Sequence, residues 1–404
     1  MVVREEYIEQ ITPYINKPFV KVITGIRRSG KSELMKCLIE RFVSEGISED
    51  RIIYINFESF AWAYVKTAQD LYEYISEKRH KEQRTYVFLD EVQEVDGWEK
   101  VVNSVMLDFD TDIYITGSNS KLLSSELSTY LTGRFVEIVV RPLSFKEYLQ
   151  FHSLDINISK EQKIKEFNKY LRLGGFPALN IADYELQDAY KIVYDIYSSI
   201  ILRDTVQRNK IRNIDVLERI IQYVFNNIGN IVSAKSIADY FKSQKRKVDT
   251  ETIYNYIQYI SAAFVVEKIQ RYDIKGKDIL KTNEKYFASD LSLVYSVLGF
   301  NPQNIGGYLE NLVCMQLKRV GYNVYVGKED DKEIDFVGIR QDERLYVQVA
   351  YKIESDKTLQ REILPLQLIK DNYPKYLVTA DELLEGNIDG IQHKHIAEFL
   401  LKIK

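Results

Sequence analysis

The chain has 404 residues, more than one ordinary core needs, and this length predicts about two to four domains. Hydrophobic residues make up 45% and charged residues 28%, a composition typical of globular proteins and not of disordered ones. The formal net charge of −4 argues against general coating of nucleic acid. No apolar run approaches the roughly 18 residues that cross a bilayer, and the first residues lack the apolar stretch of a secretory signal. We therefore expect a cytoplasmic protein with no membrane partner.

Short apolar runs alternate with amphipathic stretches over the first third of the chain. The strand candidates are residues 19–24, 51–57, 84–90, 112–116 and 134–140. Helical patterns fill the gaps between them. Nearly continuous apolar strands that alternate with helices are typical of a parallel sheet covered on both faces. The sequence therefore predicts an α/β domain over residues 1–141.

Three further parts follow along the chain. Residues 142–205 have a helical pattern that breaks at Gly174 and Gly175. Residues 206–295 predict three helices and then a hairpin, the pattern of a winged helix-turn-helix. Residues 296–404 predict a helix, three strands, further helices and one more strand, which indicates a second α/β domain.

The string GIRRSGKS matches the phosphate-binding loop pattern G-x-x-x-x-G-K-S/T. Its glycines let backbone N–H groups point at phosphate oxygens, and the following helix adds its positive end. Lys31 is expected to reach the β- and γ-phosphates, and the Ser32 hydroxyl to ligate Mg²⁺. A glycine turn before a helix is the structural alternative, but a strand candidate precedes this loop and a helical pattern follows it. We predict that the whole loop binds ATP: Gly25, Ile26, Arg27, Arg28, Ser29, Gly30, Lys31 and Ser32. For Arg27 and Arg28, phosphate contact and solvent exposure both remain open.

The strand candidate at 84–90 ends in Asp90, and Glu91 follows it directly. Asp90 is expected to hold the Mg²⁺ shell, and Glu91 to polarise a water for attack on the γ-phosphate. An acidic pair at a strand end is also a common helix cap. Its position after a phosphate-binding loop favours the catalytic interpretation.

Two later features complete the candidate site. The strand at 112–116 is followed by Ser118 and Asn119, which offer polar side chains beside the γ-phosphate. Arg134 lies at the start of the next strand candidate. A strand-end turn and a surface arginine are the plainer explanations, and both remain open.

The motifs GIRRSGKS, YINFE, LDEVQEVDGWE, ITGSNSKLL, LTGRF, RPLSFKEYL and LGGFPAL resemble a widespread family of prokaryotic AAA-superfamily ATPases. Members of that family carry a C-terminal domain related to restriction-endonuclease folds. The resemblance covers essentially the whole chain and implies a sheet of strand order 5-1-4-3-2 with a helical lid over residues 142–205. It also implies a sensor role for Asn119 and an arginine-finger role for Arg134.

The last part of the chain resembles the PD-(D/E)xK nuclease fold. Glu310 lies on its first helix and Asp335 on a strand, but Gln348 and Ala350 stand where active nucleases have the second acid and the lysine. We therefore predict a degenerate nuclease-like domain whose remnant site is Glu310, Asp335 and Gln348, with Lys352 two residues beyond Ala350. Residual cleavage, or an ordinary edge-strand carboxylate at Asp335, are the alternatives.

A basic turn precedes the second helix of the winged-helix candidate, and DNA contact would come through residues 242–258. Its positive residues, which could meet phosphates, are Lys242, Lys245, Arg246 and Lys247. The helix itself exposes Glu251, Asn255 and Gln258, and no arginine to read guanine. DNA contact and protein docking both remain open.

The sequence as a whole predicts a Mg²⁺-dependent ATP-hydrolysing switch that couples its nucleotide state to the later domains. A protein partner, a homo-oligomer and DNA are the candidate partners besides ATP and ADP. Two other functions remain open, an ATP-regulated metal-dependent nuclease and a non-hydrolysing scaffold that binds ATP.

Overall fold

The computed structural model describes residues 2–120, 131, 133–381 and 386–403, with the backbone alone at 280–283. These residues form two compact units. The first comprises the chain up to Pro142 together with Ala262–Phe264, and the second comprises Leu143–Ser261 and the chain from Val265 onward. Within the described ranges, no helix is long and apolar enough to cross a membrane.

The first unit is built on a parallel sheet. Its strands in the described part of the chain are β1 (Val20–Thr24), β2 (Ile52–Asn56), β3 (Thr85–Asp90), β4 (Thr111–Gly117) and β5 (Phe135–Val139). Their order is β2-β3-β4-β1-β5, and every neighbouring pair is parallel. The predicted order 5-1-4-3-2 is therefore confirmed.

Helices cover both faces of this sheet. They are α1 (Glu5–Ile11), α2 (Lys31–Ser44), α3 (Ala68–Lys78) and α4 (Trp98–Asp108). Side chains alternate along each strand, so Val87 and Leu89 of β3 join one core while Tyr86 and Phe88 join the other. The first core includes residues of α3 and α4, and the second includes residues of α1 and α2. This double burial explains why the strands are apolar runs without alternation.

The second unit begins with helices. They are α5 (Phe145–Phe151), α6 (Lys160–Leu173), α7 (Leu186–Ser199), a π-helix (Ile200–Gln207), α8 (Ile214–Asn226), α9 (Ala234–Ser243) and α10 (Thr250–Ala262). The break predicted at Gly174 has a clear cause. Its φ is 83°, and an added Cβ would lie 2.3 Å from Asp290 Oδ1. The next residue, Gly175, donates its N–H to Asp290 Oδ2 at 2.7 Å. Asp290 thus anchors the turn where α6 ends.

A second sheet follows in the same unit. Its strands are β6 (Ile231–Val232), β7 (Val266–Asp273), β8 (Asp278–Ala288), β9 (Asn323–Glu329), β10 (Lys332–Arg340), β11 (Glu343–Ala350), β12 (Lys375–Thr379), β13 (Gly386–Ile388) and β14 (Ile391–His395). The helices among them are α11 (Leu291–Leu298), α12 (Ile305–Arg319), α13 (Asp356–Leu368) and α14 (Ile396–Lys402). The strand order over the described residues is β13-β14-β12-β11-β10-β9-β7-β8-β6.

The hairpin expected to form a wing is β7 and β8, and it is part of this larger sheet. β7 pairs in parallel with β9, through Arg271 opposite Val326 and Tyr272 opposite Gly327. Backbone hydrogen bonds therefore join the winged-helix candidate to the C-terminal strands. The division of this unit into lid, winged helix and nuclease-like domain stays a prediction.

Candidate functional site

Three central strands bring the motif residues of the first unit to one edge of the sheet. The phosphate-binding loop follows β1, the acidic pair closes β3, and Ser118 and Asn119 follow β4. In the observed order β3 and β1 both lie beside β4. Because the carboxyl ends of parallel strands meet at one edge, the sheet collects these groups where ligands of open α/β sheets bind.

Close backbone approaches shape the phosphate-binding loop. Gly25 has a φ of 140°, and a Cβ there would lie 2.1 Å from the carbonyl oxygen of Val140. Gly30, the N-cap of α2, has a φ of 98°. Only glycine fits the first position, and the second has a left-handed conformation that glycine adopts without strain. The motif glycines are therefore required by the backbone itself.

Lys31 is folded back over this loop and is 4% exposed. Its Nζ donates to the carbonyl oxygens of Gly25 at 3.1 Å and Ile26 at 3.3 Å. The same ammonium lies 3.6 Å from Glu91 Oε1. The loop cation and the predicted base are thus already in contact.

Asp90 is fully buried and accepts several hydrogen bonds. Thr116 Oγ1 donates to its Oδ1 at 2.5 Å, and Asn56 Nδ2 and Tyr54 OH donate to its Oδ2 at 3.0 and 3.2 Å. Burial raises the pKa of Asp90, and hydrogen bonds from Thr116 and from Ser32 oppose that rise. The contact with Ser32 joins the two residues predicted to hold Mg²⁺. Sequence reasoning missed Thr116, Asn56 and Tyr54, because no motif links them to Asp90.

Glu91 has a left-handed backbone, with φ at 55°, and its N–H donates to Thr116 Oγ1 at 2.8 Å. Burial pushes the pKa of its carboxyl upward, but Lys31, a hydrogen bond from Gln93 and one from Ser118 bring it below the ordinary value. These contacts favour the ionised carboxylate, the state that a general base needs.

Ser118 and Asn119 are buried directly after β4, and Ser118 reaches Glu91. Arg134 is exposed and precedes β5, whose first residue pairs with Val20 at the opposite edge of the sheet. The length of the strand puts it roughly 16 Å from the loop edge. Arg134 does not join the site of its own chain, and a role in another subunit's site stays a prediction. Parts of the strings ITGSNSKLL and LTGRF lie outside the described residues.

Arg4 is a further residue that sequence reasoning missed. It is 6% exposed, and its guanidinium donates to the carbonyl oxygens of Ser29 and Arg141, both at 2.8 Å. It therefore ties the phosphate-binding loop to the segment that follows β5. No local motif marks it, because its partner in the loop is 25 positions away.

The loop and the acidic pair suit a nucleotide with Mg²⁺. Ser29 Oγ is buried and lacks a hydrogen-bond partner among the described residues. Its hydroxyl can therefore donate a hydrogen bond to a phosphate oxygen. The Ser32 hydroxyl and the Asp90 carboxylate supply the oxygen donors that Mg²⁺ prefers. The residues present fit both expected cofactors.

In the second unit, the predicted nuclease-like residues lie around a buried lysine. Lys285 Nζ is 3.3 Å from Glu310 Oε2, 2.9 Å from Glu333 Oε1 and 3.8 Å from Asp335 Oδ1. Gln348 also joins, since its Oε1 accepts from the N–H of Asp335 at 3.4 Å. Sequence reasoning missed Lys285, because it lies on β8, far from the motif.

The structure rules out one alternative for this cluster and shows the surroundings of Lys352. Asp335 is not on an edge strand, because β10 pairs with both β9 and β11. Lys352, two residues beyond Ala350, is exposed, and its Nζ lies 5.3 Å from the Tyr351 ring centroid. Over the described ranges, no group of three or more histidine, cysteine, aspartate and glutamate side chains is arranged to hold a metal ion.

The basic turn is exposed as expected, but one member has an acidic partner. Arg246 pairs with Asp215, which also accepts from Arg219 Nε at 3.2 Å. Lys242, Lys245 and Lys247 are exposed, as are Glu251, Asn255 and Gln258 on α10. DNA contact through this surface stays a prediction.

The chain is similar to several known proteins. Residues 17–149 match a family described as an AAA domain, and residues 164–304 match a domain of unknown function, DUF8612. A Haemophilus influenzae protein described as uncharacterized is 40% identical over 403 residues, covering 100% of this chain and 99% of the relative. The uncharacterized protein MJ1544 of Methanocaldococcus jannaschii is 33% identical over 396 residues, covering 94% and 86%. The solved Walker-type ATPase PABY2304 of Pyrococcus abyssi is 16% identical with a TM-score of 0.47, covering 73% of this chain and 95% of that one.

Replacing Lys285 by methionine should destabilise the protein by about 3–5 kcal/mol, because it leaves buried carboxylates without their cation. Lys268→Met is the matched control, since Lys268 pairs with Glu284 but is 43% exposed, and a surface pair contributes only about 0.2–1 kcal/mol. Urea unfolding measures both variants. Equal losses would mean that Lys285 is not the centre of this cluster.

Glu310→Gln should make the free energy of unfolding depend less strongly on pH. Burial, reinforced by Asp335, raises the pKa of Glu310 to about 8, so the folded protein holds a proton that the unfolded chain releases. This contribution is complete below the unfolded pKa of 4.5 and is lost as the pH rises through 8. The raised pKa of Lys285 does not make the free energy of unfolding vary with pH in that range. The stability that it contributes is lost only as the pH rises above about 10.5. Between pH 5 and 8, the wild type should lose at least about 1 kcal/mol more stability than the variant. Parallel curves of unfolding free energy against pH for the wild type and the variant would contradict the raised pKa of Glu310.

Proposed function

Since the chain belongs to the protein family of its Haemophilus influenzae and MJ1544 relatives and carries an AAA domain, we propose that it is a Mg²⁺-dependent ATPase that acts as a molecular switch. One observation carries the proposal. Lys31, Asp90 and Glu91 meet in one buried polar network, with Thr116 bonded to both acidic residues. Such a network positions charge for phosphoryl transfer, which depends on positioning and neutralisation more than on covalent chemistry.

Each residue of the network has a separate task. The backbone of the loop and Lys31 bind the phosphates, while Ser32 and Asp90 would hold Mg²⁺. The metal, when bound, neutralises phosphate charge. Glu91 orients a water and accepts its proton, and Ser118 beside it keeps the carboxylate in place.

The contact between Lys31 and Glu91 suggests how the nucleotide activates its own hydrolysis. At 3.6 Å the ammonium and the carboxylate hold each other in the site. Bound phosphates compete for Lys31, so they draw its charge away from Glu91. The carboxylate is then available to a water molecule, and hydrolysis is confined to the loaded site.

The coupled domains and partners belong to the same proposal. A helical lid, a winged helix and a nuclease-like domain would respond to the nucleotide state, with DNA contact through residues 242–258 and self-association as candidate outputs. No observation favours a nuclease, because the Lys285 ammonium lies among the carboxylates that a metal would need. A phosphate-release assay distinguishes the proposed ATPase from a scaffold that binds ATP without cleaving it.

Glu91→Gln should bind ATP with normal affinity and release phosphate at least about 100-fold more slowly, since a general base contributes roughly 10²–10⁴ in rate. Glu94→Gln is the control, because Glu94 is exposed three residues further on. Lys31→Ala should instead lose ATP binding, because the substitution removes the ammonium group that contacts the phosphates. Phosphate release and binding of a fluorescent ATP analogue measure these effects. Turnover by Glu91→Gln within about threefold of the wild type, under ~1 kcal/mol of barrier, would exclude Glu91 as the base.

If Arg134 serves a neighbouring subunit, specific activity should rise with protein concentration. Arg134→Ala should then cut turnover by a factor of up to about 10³–10⁵ and leave ATP affinity nearly unchanged. Lys17→Ala, an exposed cation just before β1 at the same edge of the sheet, should have little effect. A flat activity curve for the wild type, with a monomeric mass in ATP, would mean that Arg134 does not work in trans.

A further inference from the structure

An ion pair joins the phosphate-binding loop to the connection between β2 and α3. Arg27 Nη2 lies against Glu58 Oε1. Glu58 is itself tied to the end of β2, because its N–H donates to Asn56 Oδ1 at 2.9 Å. Asn56 donates in turn to Asp90 Oδ2 at 3.0 Å. Two residues therefore link Arg27 to the carboxylate expected at the metal.

Arg27 and Arg28 are consecutive in the loop but lie in different surroundings. Arg28 is exposed and has a φ of 66°. The Arg27 side chain is 11% exposed. Its guanidinium is therefore partly enclosed by the protein, while the Arg28 side chain faces solvent. Arg27, and not Arg28, is the arginine of this site.

The balance of charge favours a change of partner when phosphates arrive. Lys31 already contacts two carbonyl oxygens and Glu91. The Glu58 side chain is 40% exposed, so water screens its pair with Arg27. A guanidinium binds phosphate oxygens through two parallel hydrogen bonds, a stronger arrangement than a screened carboxylate pair. A γ-phosphate at the loop is therefore a better partner for Arg27 than Glu58 is.

We propose that Arg27 senses the γ-phosphate, and that its move from Glu58 to this phosphate releases residues 58–64. This inference rests on the proposed function, since it requires ATP to bind the loop. Two side chains of the 58–64 segment face solvent, because Phe60 is 92% exposed and Tyr64 is 62% exposed. Trp62 packs against Tyr74 with ring centroids 5.1 Å apart. Glu58 thus acts as the latch between the nucleotide and this aromatic segment.

The sequence supplies a probe for this movement. It contains two tryptophans, Trp62 in the segment and Trp98 at the start of α4. Trp98→Phe keeps an aromatic ring in the core and leaves Trp62 as the single indole. In that protein, a slowly hydrolysed ATP analogue with Mg²⁺ should change the Trp62 emission, and ADP with Mg²⁺ should not.

Arg27→Ala should lower affinity for the ATP analogue by about tenfold and leave ADP affinity unchanged, the scale of a typical coupling between sites. It should also abolish the analogue-specific change in Trp62 emission. Arg41→Ala, the matched control outside the loop, removes an exposed arginine that pairs with Glu45 on α2 and should preserve both. Glu58→Gln should retain nucleotide binding, with Trp62 emission already resembling the analogue-bound state before nucleotide is added.

The results separate this inference from the proposed function. A wild type that binds neither nucleotide would overturn both. A wild type that binds both, with Arg27→Ala retaining the wild-type ratio of affinities and the Trp62 response, would overturn the role of Arg27 alone. Equal losses of affinity for ADP and analogue would likewise overturn it, since they indicate a damaged loop. If Arg27→Ala does not fold, Arg27→Lys makes the same test, because it keeps the charge without the guanidinium fork and should still reduce the ratio.

Discussion

The Thr116 hydroxyl joins Asp90 and Glu91, the two acidic residues of the candidate site in the first unit. It donates to Asp90 Oδ1 at 2.5 Å and accepts from the N–H of Glu91 at 2.8 Å. All three residues are buried, so loss of the hydroxyl would leave the Glu91 N–H without its acceptor, and an unsatisfied buried group costs about 1–3 kcal/mol. The bond also crosses from β4 to β3. The strand order that makes these strands neighbours is therefore a condition of the site as well as of the core.

Two further crossings complete this arrangement. Asn56 connects the end of β2 to Asp90, and Arg4 connects the phosphate-binding loop to Arg141, two residues after β5. Side-chain hydrogen bonds thus join β2 to β3, and the loop after β1 to the segment after β5, at the edge of the sheet where the motifs meet. Asn56, the last residue of β2, therefore joins the start of the β2–α3 connection to Asp90.

The sequence predicted those parts of the site that are contiguous in the chain. The phosphate-binding loop and the Asp90–Glu91 pair each follow an apolar run, so motif and strand pattern agree on their location. Arg4, Asn56, Thr116 and Lys285 could not be found in this way, because their partners lie on other strands or helices. The short strands β13 and β14 were missed as well. β14 reads IQHKH, and its buried His393 and His395 give no apolar alternation to mark a strand.

Both units bury carboxylates, yet they satisfy them in different ways. Hydroxyl and amide groups surround Asp90, and such neutral donors leave its negative charge uncompensated and suited to a metal. Lys285 supplies a full positive charge to Glu310 and Asp335, so the same demand is met from within the fold. Displacing that ammonium would require a metal to replace its contacts with three acidic side chains and to leave a buried lysine unpaired. The charged cluster of the second unit therefore joins β8, α12 and β10 through Lys285.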